Sequence, residues 1–239
     1  MLRYKQVNNI HYWYNPEILS ENVENTFDID FWNKQDAITG SAQGRGTTWF
    51  VRGMKGDFAI RHYRRGGLLG KLVEDSYLNL GLKRSRSYQE LTILQDLSNK
   101  GVNVPTPVAA RVCQGFASYT ADIITGKIAG ASDLFTLMGQ GRQSNIDFHA
   151  IGCQIRKMHD AGVNHTDLNI HNILLDDSDT VWIIDFDKCY FRSGDKWKKS
   201  NLKRLFRSFE KEAKKGAIQY DSSSLDALLS GYRALSSKD

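Results

Sequence analysis

Cysteine is scarce in this chain: Cys113, Cys153 and Cys189 are odd in number, far apart and without histidines at metal-ligand intervals. The sequence therefore predicts neither a disulfide framework nor a zinc site, and the three read as reduced, mostly buried thiols. No run of about eighteen apolar residues occurs, which excludes a conventional spanning helix from the reading. Met1-Leu2-Arg3-Tyr4-Lys5 lacks the apolar core of a signal peptide, so the chain is expected on the cytoplasmic side. There is no internal repeat or low-complexity linker. Acid is in deficit, with 27 Asp and Glu against 32 Lys and Arg and a net charge of +5. That balance favours an anionic partner, whether nucleotide, nucleic acid or acidic membrane surface, and does not choose among them. Hydrophobic residues at 41% and charged residues at 25% are ordinary for a globular protein. A length of 239 residues suffices for one compact unit or two small lobes.

What is present begins with His165-Thr166-Asp167-Leu168-Asn169-Ile170-His171-Asn172, answered thirteen residues after Asn172 by Asp185-Phe186-Asp187 behind the apolar run Val181–Ile184. Moving the terminal phosphoryl of ATP needs a carboxylate for the attacking hydroxyl and oxygen ligands for Mg²⁺. Asp167 suits the first task; Asn172 and Asp185 suit the second, since a short strand-turn-strand between them can bring both to one metal site. The pair of motifs matches the catalytic-loop and D-F-G elements of the protein-kinase signature. Taken singly, Asp167 and Asn172 could cap turns and Asp185 could end a buried strand. His165 reads as a hydrogen-bonded structural residue of the loop, and His171 as packed or facing substrate.

Upstream, Phe27, Phe31 and Trp32 read as packing a short helix. Ala42–Val51 reads as a glycine turn and a strand, and Asp57–Tyr63 as the next strand. Gly44 and Gly46, with Gly40, would let backbone N–H groups approach phosphates, although an ordinary hairpin turn explains them equally well. Ser87–Lys100 carries Tyr88, Leu91, Leu94 and Leu97 on one helical face and stops at Gly101. Val102–Arg111, with Pro105 and Pro107, reads as an extended edge, followed by a strand from Phe116 into Ala121–Ile124. From Phe148 the pattern turns helical through Ile151, Ile155 and Met158 up to Gly162. The predicted fold is an α+β, protein-kinase-like single domain over 1–239. A small N-terminal lobe, about 1–122, holds an antiparallel sheet and one long helix; a mainly helical C-terminal lobe covers about 123–239.

On the kinase template the phosphate-holding cation falls on Arg61, in Phe58-Ala59-Ile60-Arg61, with Glu90 as its partner; Lys71 is the competing cation. Asp122 and Ile124 fall where the connection between lobes should offer main-chain groups to adenine. Thr166, Asn169 and Asp187 depart from the protein-kinase pattern, and no Ala-Pro-Glu motif follows. Such a chain has little apparatus for phosphorylation-controlled ordering of a peptide site, so a constitutively competent enzyme with a non-peptide substrate is expected.

Between Arg192 and Lys215 basic residues far outnumber acids, while Leu202, Leu205, Phe206 and Phe209 recur at helical spacing. One reading is a core-facing apolar stripe with a solvated charged face. The other sets the basic face against the phosphates of an anionic membrane, and both can hold together. Gly66–Leu72, an apolar stretch flanked by Arg64, Arg65, Lys83, Arg84 and Arg86, is a second candidate for lipid contact.

Arg61–Gly67, His165–Leu175 and Ile184–Cys189 closely resemble the 3-deoxy-D-manno-octulosonic acid (Kdo) kinases of the lipopolysaccharide kinase group, over nearly the whole chain. That resemblance implies ATP and Mg²⁺ as cofactors. It also implies the 4-hydroxyl of Kdo on Kdo-lipid A precursor (Kdo-lipid IVA) as acceptor, and peripheral attachment at the cytoplasmic face of the inner membrane. No nucleic acid is expected. Arg64, Arg65, Lys188 and Arg192 are candidates for the Kdo carboxylate or the lipid phosphates. Other readings are a small-molecule kinase resembling the aminoglycoside phosphotransferases, a RIO-like kinase, and a silent kinase-like module binding RNA or membrane.

Overall fold

The structure, a computed structural model, describes residues 1–44, 46–64 and 75–234. Arg65, Lys71 and the rest of the Gly66–Leu72 stretch lie outside the described residues. The chain divides into two compact units, Met1–Thr92 with Thr106–Lys127, and Ile93–Pro105 with Ile128–Asp239. Strands and helices are mixed in the α+β manner expected.

The first unit is built on an antiparallel sheet. Its strands are β1 (Arg3–Val7), β2 (Ile10–Tyr14), β3 (Ile38–Gln43), β4 (Thr47–Gly53), β5 (Gly56–His62), β6 (Tyr77–Leu78), β7 (Pro107–Gln114) and β8 (Ser118–Gly126). The order is β1-β2-β7-β8-β5-β4-β3, with β6 continuing beside β8 past the end of β5. Two findings differ from the sequence reading. The hairpin β1–β2 was not anticipated. It pairs with β7, so β7 is an interior strand with β8 on its other side. Pro107 is tolerated because it stands first in the strand, where its missing N–H removes little of the ladder.

Helix α1 (Ile29–Asn33) is capped by the Asp28 carboxylate, which accepts from the Asp30 N–H, and it buries Trp32. One core gathers Tyr12, Phe27, Trp32, Val51, Phe58, Ile60, Val108 and Ile124. Helix α2 (Arg86–Asn99) buries Leu91, Leu94 and Leu97 completely, at the predicted spacing, each worth roughly 1.5–3 kcal/mol. Gly101 takes φ 70°, the left-handed conformation that ends such helices. The last turns of α2 belong to the second unit.

That second unit holds β9 (Ser132–Asp133), α3 (Leu134–Gly139), α4 (Phe148–Asp160), β10 (Val163–Asn164), β11 (Ile173–Leu175), β12 (Val181–Ile183), β13 (Tyr190–Phe191), α5 (Lys196–Lys214) and α6 (Ser222–Ala234). The Asp147 carboxylate caps α4 by accepting from the Ala150 N–H, and Ile151, Ile155 and Met158 are fully buried. Helices α4 and α6 meet backbone to backbone. A Cβ on Gly152 would lie 2.0 Å from the Leu228 carbonyl oxygen, and one on Gly231 2.0 Å from that of His149. Helix α5 buries Trp197, Leu202, Leu205 and Phe209 and exposes Lys203, Arg204, Arg207 and Lys211. Of the thiols, Cys189 is buried, whereas Cys113 and Cys153 are only half-buried. Among the described residues no helix is long and apolar enough to cross a membrane.

Candidate active site

In the first unit, β5 carries Arg61 and α2 carries Glu90. The Arg61 Nη2 donates to both carboxylate oxygens of Glu90 at 2.7 Å. Glu90 is only 4% exposed, which removes the possibility of a solvated helix residue. The buried Tyr63 hydroxyl also donates to Glu90, and the Arg61 guanidinium stands 5.1 Å from the Tyr63 ring centre. A buried carboxylate so held fixes the position of a cation, as phosphate binding requires. Tyr63 was not singled out in the sequence. Its signal is a tyrosine two residues after Arg61, at the same strand face.

The glycine hairpin joins β3 to β4. The Gly44 N–H donates to the Gly46 carbonyl at 3.0 Å, which commits that donor within the turn rather than to a phosphate. A Cβ on Gly46 would come within 3.1 Å of the Arg64 side chain, so this glycine admits Arg64 against the turn.

Asp122 and Ile124 require a correction. Both lie inside β8, paired with His62 and Ile60 of β5 on one side and with Arg111 and Ala109 of β7 on the other. Their main-chain groups serve the ladders, and the first unit runs on to Lys127. Sequence alone could not show how far β8 continues. The Asp122 side chain instead anchors a partly buried network. It accepts from His62 Nδ1 at 2.7 Å and from Arg111 Nε at 2.8 Å, while His62 Nε2 reaches Asp75 at 3.3 Å. The hydrogen bond to Asp122 raises the His62 pKa above its ordinary value against the opposing effect of burial.

In the second unit the segment between β10 and β11 carries Asp167. Leu168 and Ile170 are fully buried, while Asp167, immediately before them, is exposed. Asn172 Nδ2 and Asn169 Nδ2 both donate to the Asp167 carbonyl at 2.9 Å. Strands β11 and β12 pair antiparallel, and the Ile184 N–H donates to the Asn172 carbonyl at 3.0 Å. The strand-turn-strand thus sets Asn172 directly across from the residue preceding Asp185. Asp185 takes φ 62°, a left-handed conformation uncommon outside glycine and found disproportionately at functional sites.

His165 ties these pieces together. Its ring is buried, which lowers its pKa and keeps it neutral. Nε2–H donates to the Ile184 carbonyl at 3.0 Å, and Nδ1 accepts from the Asp167 N–H at 3.3 Å. Phe186, 1% exposed, packs against the ring with centroids 5.0 Å apart. His171 is exposed and lies beside Phe135 of α3, with ring centroids 4.7 Å apart.

Helix α5 secures both ends of this loop through residues the sequence reading passed over. Asn201, 4% exposed, accepts from the His165 N–H at 3.1 Å and from His159 Nε2 at 3.2 Å, and donates to Asn164 at 2.8 Å. Seven residues on, the Ser208 hydroxyl accepts from the Ile170 N–H at 3.2 Å. The available signal was a polar residue within the apolar stripe of α5. Burial pushes the His159 pKa down to about 4, so this ring is neutral as well, with Tyr232 donating to its Nδ1 at 2.7 Å.

The donor set suits a cation of the magnesium kind. Asn172 commits its amide nitrogen to Asp167, leaving Oδ1, and Asp185 supplies a carboxylate. Both are hard oxygen donors, and Mg²⁺ is usually bound through one or two carboxylates together with substrate phosphates and water. Among the described residues no cluster of three or more His, Cys, Asp or Glu forms a self-sufficient metal cage.

Several known proteins are similar to this chain. A solved structure, WaaP in complex with acyl carrier protein, superposes with a TM-score of 0.59 at 19% identity, over 91% of this chain and 88% of that one, a likeness of fold. The 3-deoxy-D-manno-octulosonic acid kinase of Vibrio cholerae is 50% identical over 221 residues, covering 92% of this chain and 94% of that protein. The enzyme of the same name from Photobacterium damsela subsp. piscicida is 54% identical over 209 residues, covering 87% of each. The sequence profile of the lipopolysaccharide kinase (Kdo/WaaP) family matches residues 29–232. With a kinase-type loop, a kinase-like fold and kinases as its relatives, this chain is a phosphotransferase, and it belongs to the lipopolysaccharide kinase (Kdo/WaaP) family.

Proposed function

We propose that this enzyme transfers the terminal phosphoryl of ATP, with Mg²⁺, to the 4-hydroxyl of Kdo on Kdo-lipid A precursor (Kdo-lipid IVA). The observation that carries the acceptor class is the 50% and 54% identity, over most of both chains, to enzymes named for Kdo. The reaction class draws on the loop from His165 to Asn172.

In this reading Asp167 orients the Kdo hydroxyl and accepts its proton as the new bond to phosphorus forms. Its main chain is set by His165, Asn169 and Asn172, so its exposed carboxylate is presented from a fixed backbone. Asn172 and Asp185 hold Mg²⁺, which when bound offsets the charge of the phosphate oxygens. Arg61, kept in place by Glu90, holds inner phosphates of the nucleotide, with Gly46 and Arg64 of the hairpin region alongside. Positional analysis of the product by phosphorus NMR tests the acceptor. Phosphate on the Kdo 4-oxygen agrees with the reading, and phosphate on another sugar or on protein overturns it.

A lipid-linked acceptor places the enzyme at a membrane, on the cytoplasmic face of the inner membrane and peripherally. The exposed Lys203, Arg204, Arg207 and Lys211 of α5 suit an anionic surface, each worth about 1 kcal/mol there. Such attraction weakens as salt screens it.

A further inference from the structure

We infer that the corner of the first unit made by β6 and the β7–β8 turn is a membrane-inserting tip. Leu78, Leu80 and Phe116 enter the interfacial layer of an anionic bilayer, and Lys83 and Arg84 meet its lipid phosphates. The inference rests on the membrane-linked acceptor proposed above.

The register defines the tip. Tyr77 pairs with Tyr119 and Leu78 with Ser118, and the Asn79 N–H donates to the Ala117 carbonyl at 3.0 Å. Side chains alternate between the two faces of such a ribbon. One face is occupied: the Tyr77 and Tyr119 rings lie 5.5 Å apart, and Arg86 donates to the Tyr77 hydroxyl at 2.8 Å with its guanidinium 4.8 Å from that ring centre. Leu78 and Leu80, two residues apart, are 63% and 60% exposed. Phe116 is exposed in full, at 107%. The Gly115 N–H closes onto the Ser118 carbonyl at 2.7 Å, and this tight turn keeps Phe116 at its apex.

Three large exposed apolar side chains at one corner are an interaction signal, unlike the scattered exposed leucine that any surface carries. Charge selects the occupant. Lys83 and Arg84 follow immediately in a 3-10 turn, Leu82–Arg84, and both are exposed. The nearest described acid preceding them, Asp75, is engaged by His62 at 3.3 Å. An apolar apex with cationic shoulders matches a bilayer interface, where acyl chains and anionic headgroups lie at adjacent depths.

The test is cosedimentation of the full chain with phosphatidylcholine vesicles containing or lacking phosphatidylglycerol, at low and high salt. Wild type should bind the anionic vesicles and keep a salt-resistant fraction. Leu80→Ser with Phe116→Ser should lose that fraction and weaken binding at least tenfold, while turnover on a deacylated, water-soluble acceptor stays at the wild-type level. Phe116→Trp should add emission that brominated acyl chains quench, measured as the difference from wild type. If wild type binds no anionic vesicle, the membrane reading itself fails. If wild type binds and the double serine variant binds equally, the tip is wrong and the membrane reading stands. If the serine variant instead converts an oligomer to a monomer in sedimentation velocity, a second copy covers the corner and the tip is likewise wrong.

Discussion

In the first unit the buried carboxylate of Glu90 holds Arg61 and Tyr63, and that of Asp122 holds His62 and Arg111. In the second, the loop from His165 to Asn172 is held by neutral groups: the rings of His165 and His159, the amides of Asn172 and Asn201, and the hydroxyl of Ser208. The contrast follows the tasks proposed for them. A phosphate-holding cation needs an opposite charge to keep it in place, and in a low-dielectric setting that charge must be doubly satisfied. A carboxylate that orients a hydroxyl needs a fixed backbone, and neutral hydrogen bonds supply one.

The comparison breaks most readily at Asp122. Asp122→Ala leaves Arg111 and His62 without their shared carboxylate, and denaturant unfolding should show a loss of about 3–5 kcal/mol. The His62 share has a definite pH sense. Its folded pKa is raised, so its contribution is complete below the unfolded value of 6.5 and is lost as pH rises through the folded value. A loss under 1 kcal/mol would mean that the network is not a stability element.

The second unit should respond to pH in the opposite sense. His159 titrates near 4 when folded and at 6.5 when unfolded, so between these values the unfolded chain binds more protons. Stability should therefore fall by about 3 kcal/mol as pH drops from 6.5 to 4. His159→Gln should flatten that slope in urea midpoints measured across the range; an unchanged slope would assign the acid sensitivity elsewhere.

A smaller effect is expected for Asn201→Leu. Removing its contacts should lower kcat by tenfold to a hundredfold through loop misplacement, with KM for ATP nearly unchanged. Asn201→Asp retains an acceptor for the His165 N–H and should recover part of the rate. Equal loss in both variants, or a change in KM alone, would argue for a general folding defect.

Much of this was legible in the sequence because it is local. The loop motif, the β11–β12 hairpin and the apolar spacing of α2 and α4 each lie within a few turns of chain. Glu90 could be paired with Arg61 because the kinase pattern supplies that long-range link. What escaped depends on partners distant in sequence: Asp122 meets His62 and Arg111 across two strand ladders, and Asn201 reaches His165 from a helix thirty-six residues on. The β1–β2 hairpin escaped too, and with it the interior place of β7, since Pro105 and Pro107 are locally the marks of an edge.

The most direct measurement compares Asp167→Ala with wild type in two assays, Mg·ATP binding by calorimetry and phosphoryl transfer to Kdo-lipid A precursor. The account predicts near-normal nucleotide binding with transfer reduced by about two to four orders of magnitude, since only the positioning of the acceptor hydroxyl is removed. Transfer within a few-fold of wild type would contradict it.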